Sequence, residues 1–258
     1  MILHCRDREV EIRPTGPPVI IGEGGGVLRK GFEDLGKIVL RAKAQVEAGA
    51  RIIDVNLPAR ALGRAVREIQ GAVAVPVSLD VMSLEALREG LEACEGRALV
   101  NSINGSERRL KEFLPLISRY GSAAIAMPID DEGIPERPEG RLRIAERIIR
   151  RAGEYSISID DLIFDAVCLP ALGNPEGMRV TLETLRLLRK ELGANLTLGV
   201  RNVSYGLSVR RGMEAHFLAL ALSSGLNCPM TDPTVPIIRR AIELFERFKG
   251  LGGLGGPL

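Results

Sequence analysis

The chain has 258 residues, 45% of them hydrophobic and 26% charged, with a formal net charge of +2. That is an ordinary globular composition over a length that buries roughly three quarters of its unfolded surface in one domain. The small charge, the absence of a long Lys/Arg run and an aromatic content of 3% without Trp exclude nucleic acid and a membrane surface as partners, and no segment reads as a membrane span.

Residues 1–18 mix acids and bases instead of presenting a basic start and an apolar centre, so no signal peptide and a cytoplasmic location are expected. This stretch reads as an N-terminal extension, a short ordered cover in preference to a loose arm. The first apolar run is 19–22. Gly22-Glu23-Gly24-Gly25-Gly26 closes it, glycine-rich but without the G-x-G-x-x-G spacing, helix and distal acid of a dinucleotide turn, so a flexible first loop is expected. Leu35, Ile38, Ala42 and Val46 then repeat at helical spacing. Further short apolar runs follow at 51–56, 76–81, 97–102, 122–127, 162–167, 195–200 and 226–230. The acidic, Pro-rich loop at 128–140 is long for a connection and is read either as a lid or as a solvated loop. Met178, Leu182, Leu185 and Leu192 mark a later helix, and Ile238, Ala241, Ile242 and Phe245 the last. Asn174 before Pro175 and Asp232 before Pro233 look like caps ahead of a proline at the first helical position. Gly96, Gly121, Gly153, Gly193 and Gly225 fall just before new strands, where left-handed helix caps are expected. Residues 250–258 read as a flexible Gly-rich tail.

Eight nearly continuous apolar runs alternating with helices predict parallel strands covered on both sides. In this length the fitting architecture is an α/β single domain, a (β/α)8 TIM barrel over residues 19–249. Cys5, Cys94, Cys168 and Cys228 are scattered, form no C-x-x-C pair and do not cluster with His4 or His216. Buried or idle thiols are expected there, and no metal.

Barrel sites lie at the C-terminal ends of the strands. There the sequence sets Asp54, Asp80, Asn101, Asp165 and Asn202, from five different strands, each among apolar neighbours whose presence makes an unpaired polar group costly. One such residue is usually a satisfied structural group; five are not well explained that way. The set suits a hard divalent cation on Asp54, Asp80 and Asp165, or a neutral heterocycle rich in N–H donors.

At these residues the sequence resembles the pterin-binding barrels, which include methyltetrahydrofolate:corrinoid methyltransferases, the folate module of cobalamin-dependent methionine synthase, and dihydropteroate synthase. The matching stretches are Ile20-Ile21-Gly22-Glu23, Ile53-Asp54-Val55-Asn56, Ser78-Leu79-Asp80, Val100-Asn101-Ser102-Ile103-Asn104, Gly133-Ile134-Pro135, Phe164-Asp165, Leu169-Pro170 and the run from Leu198 to Ser204, in family order. The resemblance implies a methyltransferase moving the N5-methyl group between methyltetrahydrofolate, or a related tetrahydropterin, and the cobalt of a corrinoid (cobalamin) on a partner protein. It implies a homodimer with no metal of its own. Asp80, Asn101 and Asp165 then bind the pterin's aminopyrimidone edge, and Asn202 sits near N5 as the catalytic amide. Met127 packs near the ring, Gly199 and Arg210 join the substrate site, and Asp54, Ser102 and Ser204 stand behind it. The sequence departs from the family's methyltransferases at Gly24, Gly25 and Gly26, at Arg201 and at Tyr205, around the substrate tail and the corrinoid approach. Arg201, Arg210 and Arg211 are read either as solvent-exposed or as meeting a glutamate tail or partner. Three alternatives remain: dihydropteroate synthase, whose lysine after strand seven is missing here; a non-catalytic pterin-binding subunit of a corrinoid system; and a metal-dependent barrel hydrolase or lyase using Asp54, Asp80 and Asp165.

Overall fold

The computed structural model describes residues 1–23 and 34–250; the Gly24–Gly26 stretch and residues 251–258 lie outside the described residues. The chain opens with an antiparallel hairpin, β1 (Ile2–Cys5) and β2 (Arg8–Glu11). Eight strands follow: β3 (Ile21–Gly22), β4 (Ile52–Val55), β5 (Val77–Asp80), β6 (Leu99–Asn104), β7 (Ala123–Met127), β8 (Leu162–Asp165), β9 (Asn195–Gly199) and β10 (Cys228–Thr231). They pair in parallel and close as β10-β3-β4-β5-β6-β7-β8-β9, which is a (β/α)8 barrel. Each expected strand is present, its ends moved by one or two residues. Between and after the barrel strands run α1 (Leu35–Glu47), α2 (Ala59–Val73), α3 (Leu84–Ala93), α4 (Glu107–Arg119), α5 (Pro138–Gly153), α6 (Pro175–Leu192), α7 (Arg210–Ser223) and α8 (Pro236–Gly250). Among the described residues no helix is long and apolar enough to cross a membrane.

Side chains alternate along a strand with a period of two, so each strand serves two cores. Ile53, Val55, Leu79, Val100, Ala124, Phe164 and Leu198 pack outward under the helices. Ile21, Ile52, Leu99, Ile125, Ile163 and Cys228 fill the interior, where Leu3, Val10 and Ile12 of the hairpin segment join them from below. Two residues further along the strands from this apolar floor, the same parity brings Glu23, Asp54, Asn101, Met127 and Asp165 to the opposite end. The floor and the site are therefore consecutive layers of one interior.

The hairpin is fastened at a position that only glycine fills. Gly96 has φ +87°, and a Cβ there would stand 2.2 Å from the His4 carbonyl oxygen, which accepts a 2.8 Å hydrogen bond from Arg97 N. Arg97 also donates through Nη1 to Ile2 O at 2.9 Å.

Two expectations at helix ends are corrected. Gly153 is the last residue of α5, and the left-handed residue that follows is Ser156, at φ +60°. Asp232 does not cap a helix beginning at Pro233, because α8 begins at Pro236. Its carboxylate instead closes a local turn, accepting from Thr234 N at 3.1 Å and Thr234 Oγ1 at 2.6 Å. Asn174 does cap α6, accepting from Gly177 N at 2.9 Å. The long loop before α5 is tied down by a turn at Asp130–Gly133 and by Arg147, which donates to Asp130 Oδ2 at 2.6 Å.

Candidate functional site

At the C-terminal mouth of the barrel lies a cavity of about 740 Å³, lined among others by Glu23, Asp54, Asn56, Asp80, Arg201, Asn202, Tyr205 and Arg210. Asp54 is its deepest carboxylate. Oδ1 accepts from Ser78 Oγ at 2.7 Å and from Asn101 Nδ2 at 3.2 Å. Burial, reinforced by the neighbouring Asp80 charge, pushes its pKa up to about 7. Asp80 is raised more modestly, again by burial, because Asn56 Nδ2 donates to it and the Arg109 charge lies near. Arg109 stacks 3.6 Å above the Phe113 ring. Its guanidinium donates to the carbonyls of Val81, Met82 and Ser102 at 2.7–3.0 Å, fixing the tips of β5 and β6. Ser102 thus contributes its backbone carbonyl, at a shift in register between β6 and β7.

Asp165 closes β8. Oδ1 accepts from Val167 N at 2.7 Å. Burial raises the carboxyl to about 6, against that hydrogen bond and the charge of Arg141. Val167 holds φ +57°, a costly conformation for a β-branched residue. Its surroundings dictate it. Arg141, 1% exposed, donates through Nη1 to Ala166 O at 2.7 Å and Val167 O at 3.1 Å, while Nε donates to Pro135 O at 3.1 Å.

Asn202 lies on a 3-10 turn, Val200–Ser204, that continues β9. Its side chain makes no hydrogen bond among the described residues and is exposed to the mouth. Gly199 lets it sit close, since a Cβ there would lie 3.0 Å from Asn202 Nδ2. On one side of the turn Arg201 pairs with Glu23 at 3.6 Å. On the other, Ser204 Oγ meets Glu214 Oε1 at 2.7 Å and receives Arg210 Nε at 3.2 Å. Arg211 Nη1 donates to Glu214 Oε2 at 2.9 Å. The three arginines are therefore not simply solvated. Glu23 is raised chiefly by burial, and its Oε2 is buried without a partner among the described residues. Arg41 reaches Asp232 at 3.1 Å on the same side of the mouth.

Asp54, Asp80, Asn202 and Arg210 share one cavity, and Asn101 joins it through Asp54. Met127, Asp165 and Gly199 end the adjacent strands β7, β8 and β9 and do not line that cavity. Strand-end reasoning passed over Glu23 and Asn56, although both continue the inward parity of Ile21 and Ile52. Arg109, Arg141 and Glu214 carry no such sign, being helix residues that reach the mouth from outside the barrel. Among the described residues, no three His, Cys, Asp or Glu stand within reach of a single metal ion.

The mouth can present hydrogen-bond acceptors whose charge is tuned towards neutrality, together with amides that both donate and accept. That suits a polar ring rich in N–H donors, while Arg41, Arg201 and Arg210 add positive charge at the same cavity that suits an anionic group.

A family model for pterin binding enzymes matches residues 28–231. The chain is 27% identical over 234 residues to a methylcorrinoid:tetrahydrofolate methyltransferase from Eubacterium limosum, covering 84% of this chain and 85% of that one. It is 28% identical over 235 residues to methionine synthase from Mycobacterium leprae, covering 81% of this chain but only 20% of that longer protein. Among solved structures, dihydropteroate synthase from Yersinia pestis superposes with a TM-score of 0.75 at 17% identity, covering 97% of this chain and 99% of that one. At that identity the likeness is one of fold.

Proposed function

The chain belongs to the pterin-binding enzymes, and from that premise we propose that it moves the N5-methyl group between methyltetrahydrofolate, or a related tetrahydropterin, and the cobalt of a corrinoid held by a partner protein. The observation that carries this reading is Asn202, a mouth-facing amide whose side chain makes no hydrogen bond among the described residues, set on a turn that shares its cavity with Asp54 and Asp80. The kinship with a methylcorrinoid:tetrahydrofolate methyltransferase supports the same chemistry. The homodimer implied by the resemblance and the expected cytoplasmic location belong to this proposal.

Asp80, Asn101 and Asp165 take the aminopyrimidone edge, whose N–H groups need acceptors and whose carbonyl needs a donor. Asp165 Oδ1 is committed to Val167 N, which leaves Oδ2 for the ligand. Met127, at the end of β7, packs against the ring. Asn202 addresses N5. Methyl transfer leaves the N5 electron pair behind on a poor leaving group, so a donor that strengthens its hydrogen bond as that pair develops stabilises the transition state more than the ground state. The corrinoid of the partner supplies the low-valent cobalt that takes the methyl group, chemistry for which no side-chain nucleophile is needed.

The test is an anaerobic assay with methyltetrahydrofolate and Co(I) cobalamin, followed by the cobalt absorption spectrum. The expected result is conversion of Co(I) to methylcobalamin with equimolar tetrahydrofolate. Binding without transfer would point to a non-catalytic subunit. Condensation of a pterin pyrophosphate with 4-aminobenzoate would point to dihydropteroate synthase.

A further inference from the structure

We propose that Glu214 of α7 is the positioning residue that holds the Asn202 turn in register with the mouth; this rests on the methyl-transfer reading above. A five-residue 3-10 turn is intrinsically soft, with strained hydrogen bonds and few of them. Here it carries a side chain whose aim must be accurate to a fraction of an ångström. Among the described residues the Asn202 side chain makes no hydrogen bond, so within them the turn is held by its neighbours.

Ser204, the last residue of the turn, is fully buried, and Glu214 is 1% exposed. The hydroxyl has one proton and two nearby acceptors, Glu214 Oε1 at 2.7 Å and Arg201 O at 3.1 Å. The shorter contact is to a carboxylate and is the stronger of the two. Arg210 Nε donates to the same hydroxyl oxygen at 3.2 Å, so Ser204 both gives and receives.

A buried carboxylate is tolerated only when compensated. Arg210 and Arg211, one turn earlier on the same helix face, lie 3.8 Å and 2.9 Å from it. Both arginines are partly exposed, so their charges stay solvated while Glu214 stays dry. The result is a strut: helix α7, Glu214, Ser204, then Asn202 two residues back. The turn's other side is held by Arg201 on Glu23 and by Ala171 N on Val203 O at 3.0 Å. The backbone of the Ser204 end is held as well, by Ala171 on the Val203 carbonyl and by Leu207 N on Ser204 O at 3.1 Å, and Glu214 adds the charged side-chain anchor there.

Three variants test the strut. Glu214→Gln keeps an oxygen that can accept from Ser204; Glu214→Leu and Ser204→Ala remove the hydrogen bond from either end. Kd for methyltetrahydrofolate and kcat for transfer to Co(I) cobalamin are measured on each. The expected result is a kcat lowered about ten-fold or more in Glu214→Leu and Ser204→Ala with Kd changed less than about three-fold, rescue of kcat in Glu214→Gln, and no further loss in the double variant. Unchanged kcat in both disrupting variants, or Kd and kcat falling together, overturns the proposal. Should Glu214→Leu fail to fold, Ser204→Ala carries the same comparison. A wild-type chain that binds the pterin but moves no methyl group defeats the functional reading instead. The strut is then judged by the 15N side-chain amide resonance of Asn202, identified by its loss in Asn202→Ala. One sharp signal in wild type that broadens or doubles in Ser204→Ala supports the strut; identical signals in both overturn it.

Discussion

Asn101 donates through Nδ2 to Asp54 Oδ1 at 3.2 Å, so an amide at the mouth is oriented by a buried carboxylate beside it. With one N–H engaged by Asp54, the amide oxygen and the second N–H remain for a ligand. Asp54 is thus a support for the site, and its own ionisation is set by the dry layer it occupies.

That gives a pH signature. Asp54 titrates near 7 in the fold, against about 3.9 for an unfolded aspartate. Between those values the folded chain binds a proton that the unfolded chain has released. Its contribution to stability is therefore fully present below about pH 4 and is lost as pH rises through 7. Asp54→Asn retains an oxygen for Ser78 and Asn101 and cannot ionise. Melting curves from pH 4 to 8 should show a higher Tm for the variant at pH 8, with the difference vanishing towards pH 4. Parallel curves would mean that Asp54 titrates normally.

Asn202 and Asp165 should fail in different ways. Asn202→Ala should lower kcat roughly a hundred-fold, the scale of losing one transition-state hydrogen-bond donor, while Kd for methyltetrahydrofolate changes little. Asp165→Asn should raise Kd by an amount corresponding to about 1.5–3 kcal/mol, the value of a charge-assisted hydrogen bond. Titration calorimetry and single-turnover transfer separate the two, and matching behaviour would refute the division of roles.

Asp165 also predicts how binding depends on pH. Its carboxyl ionises near 6, so wild-type affinity for the pterin should tighten as pH rises through that value, and Asp165→Asn should be flat. Arg141 pulls that pKa down from within the protein. Arg141→Met should therefore move the midpoint of the binding profile upward. An unmoved midpoint would show that Arg141 acts on the Ala166 and Val167 carbonyls alone.

At the far end of the barrel, Gly96→Ala should destabilise the fold by more than roughly 1 kcal/mol, because it combines a left-handed φ with a clash against the His4 carbonyl. Displacing the hairpin would uncover Leu3, which is fully buried. Urea denaturation measures the loss, and methyltetrahydrofolate affinity should change little, since the hairpin sits under the opposite layer.

Much of the site was legible because the polar residues that close each apolar run can be read locally, and strand parity explains why they point inward. Once Ile52, Leu99 and Ile163 are recognised as interior, Asp54, Asn101 and Asp165 must follow two residues later, whatever surrounds them. The same reasoning reaches Glu23 and Asn56 if carried one strand end further. It fails for Asp232, which looks like a helix cap beside Pro233 but closes a turn onto Thr234 and meets Arg41, 191 residues earlier in the chain.

The amino-acid sequence by itself determined the eightfold alternation and the polar groups at the strand tips, because these follow from short apolar runs, the 3.6-residue helical period and turn chemistry. Only the tertiary structure decided how those groups are held and charged. Arg109, Arg141 and Glu214 reach the mouth from the surrounding helices, and burial moves Asp54 and Asp165 towards neutrality. Long side chains crossing between elements and the exclusion of water are properties of the closed barrel, with no counterpart in any local stretch of chain.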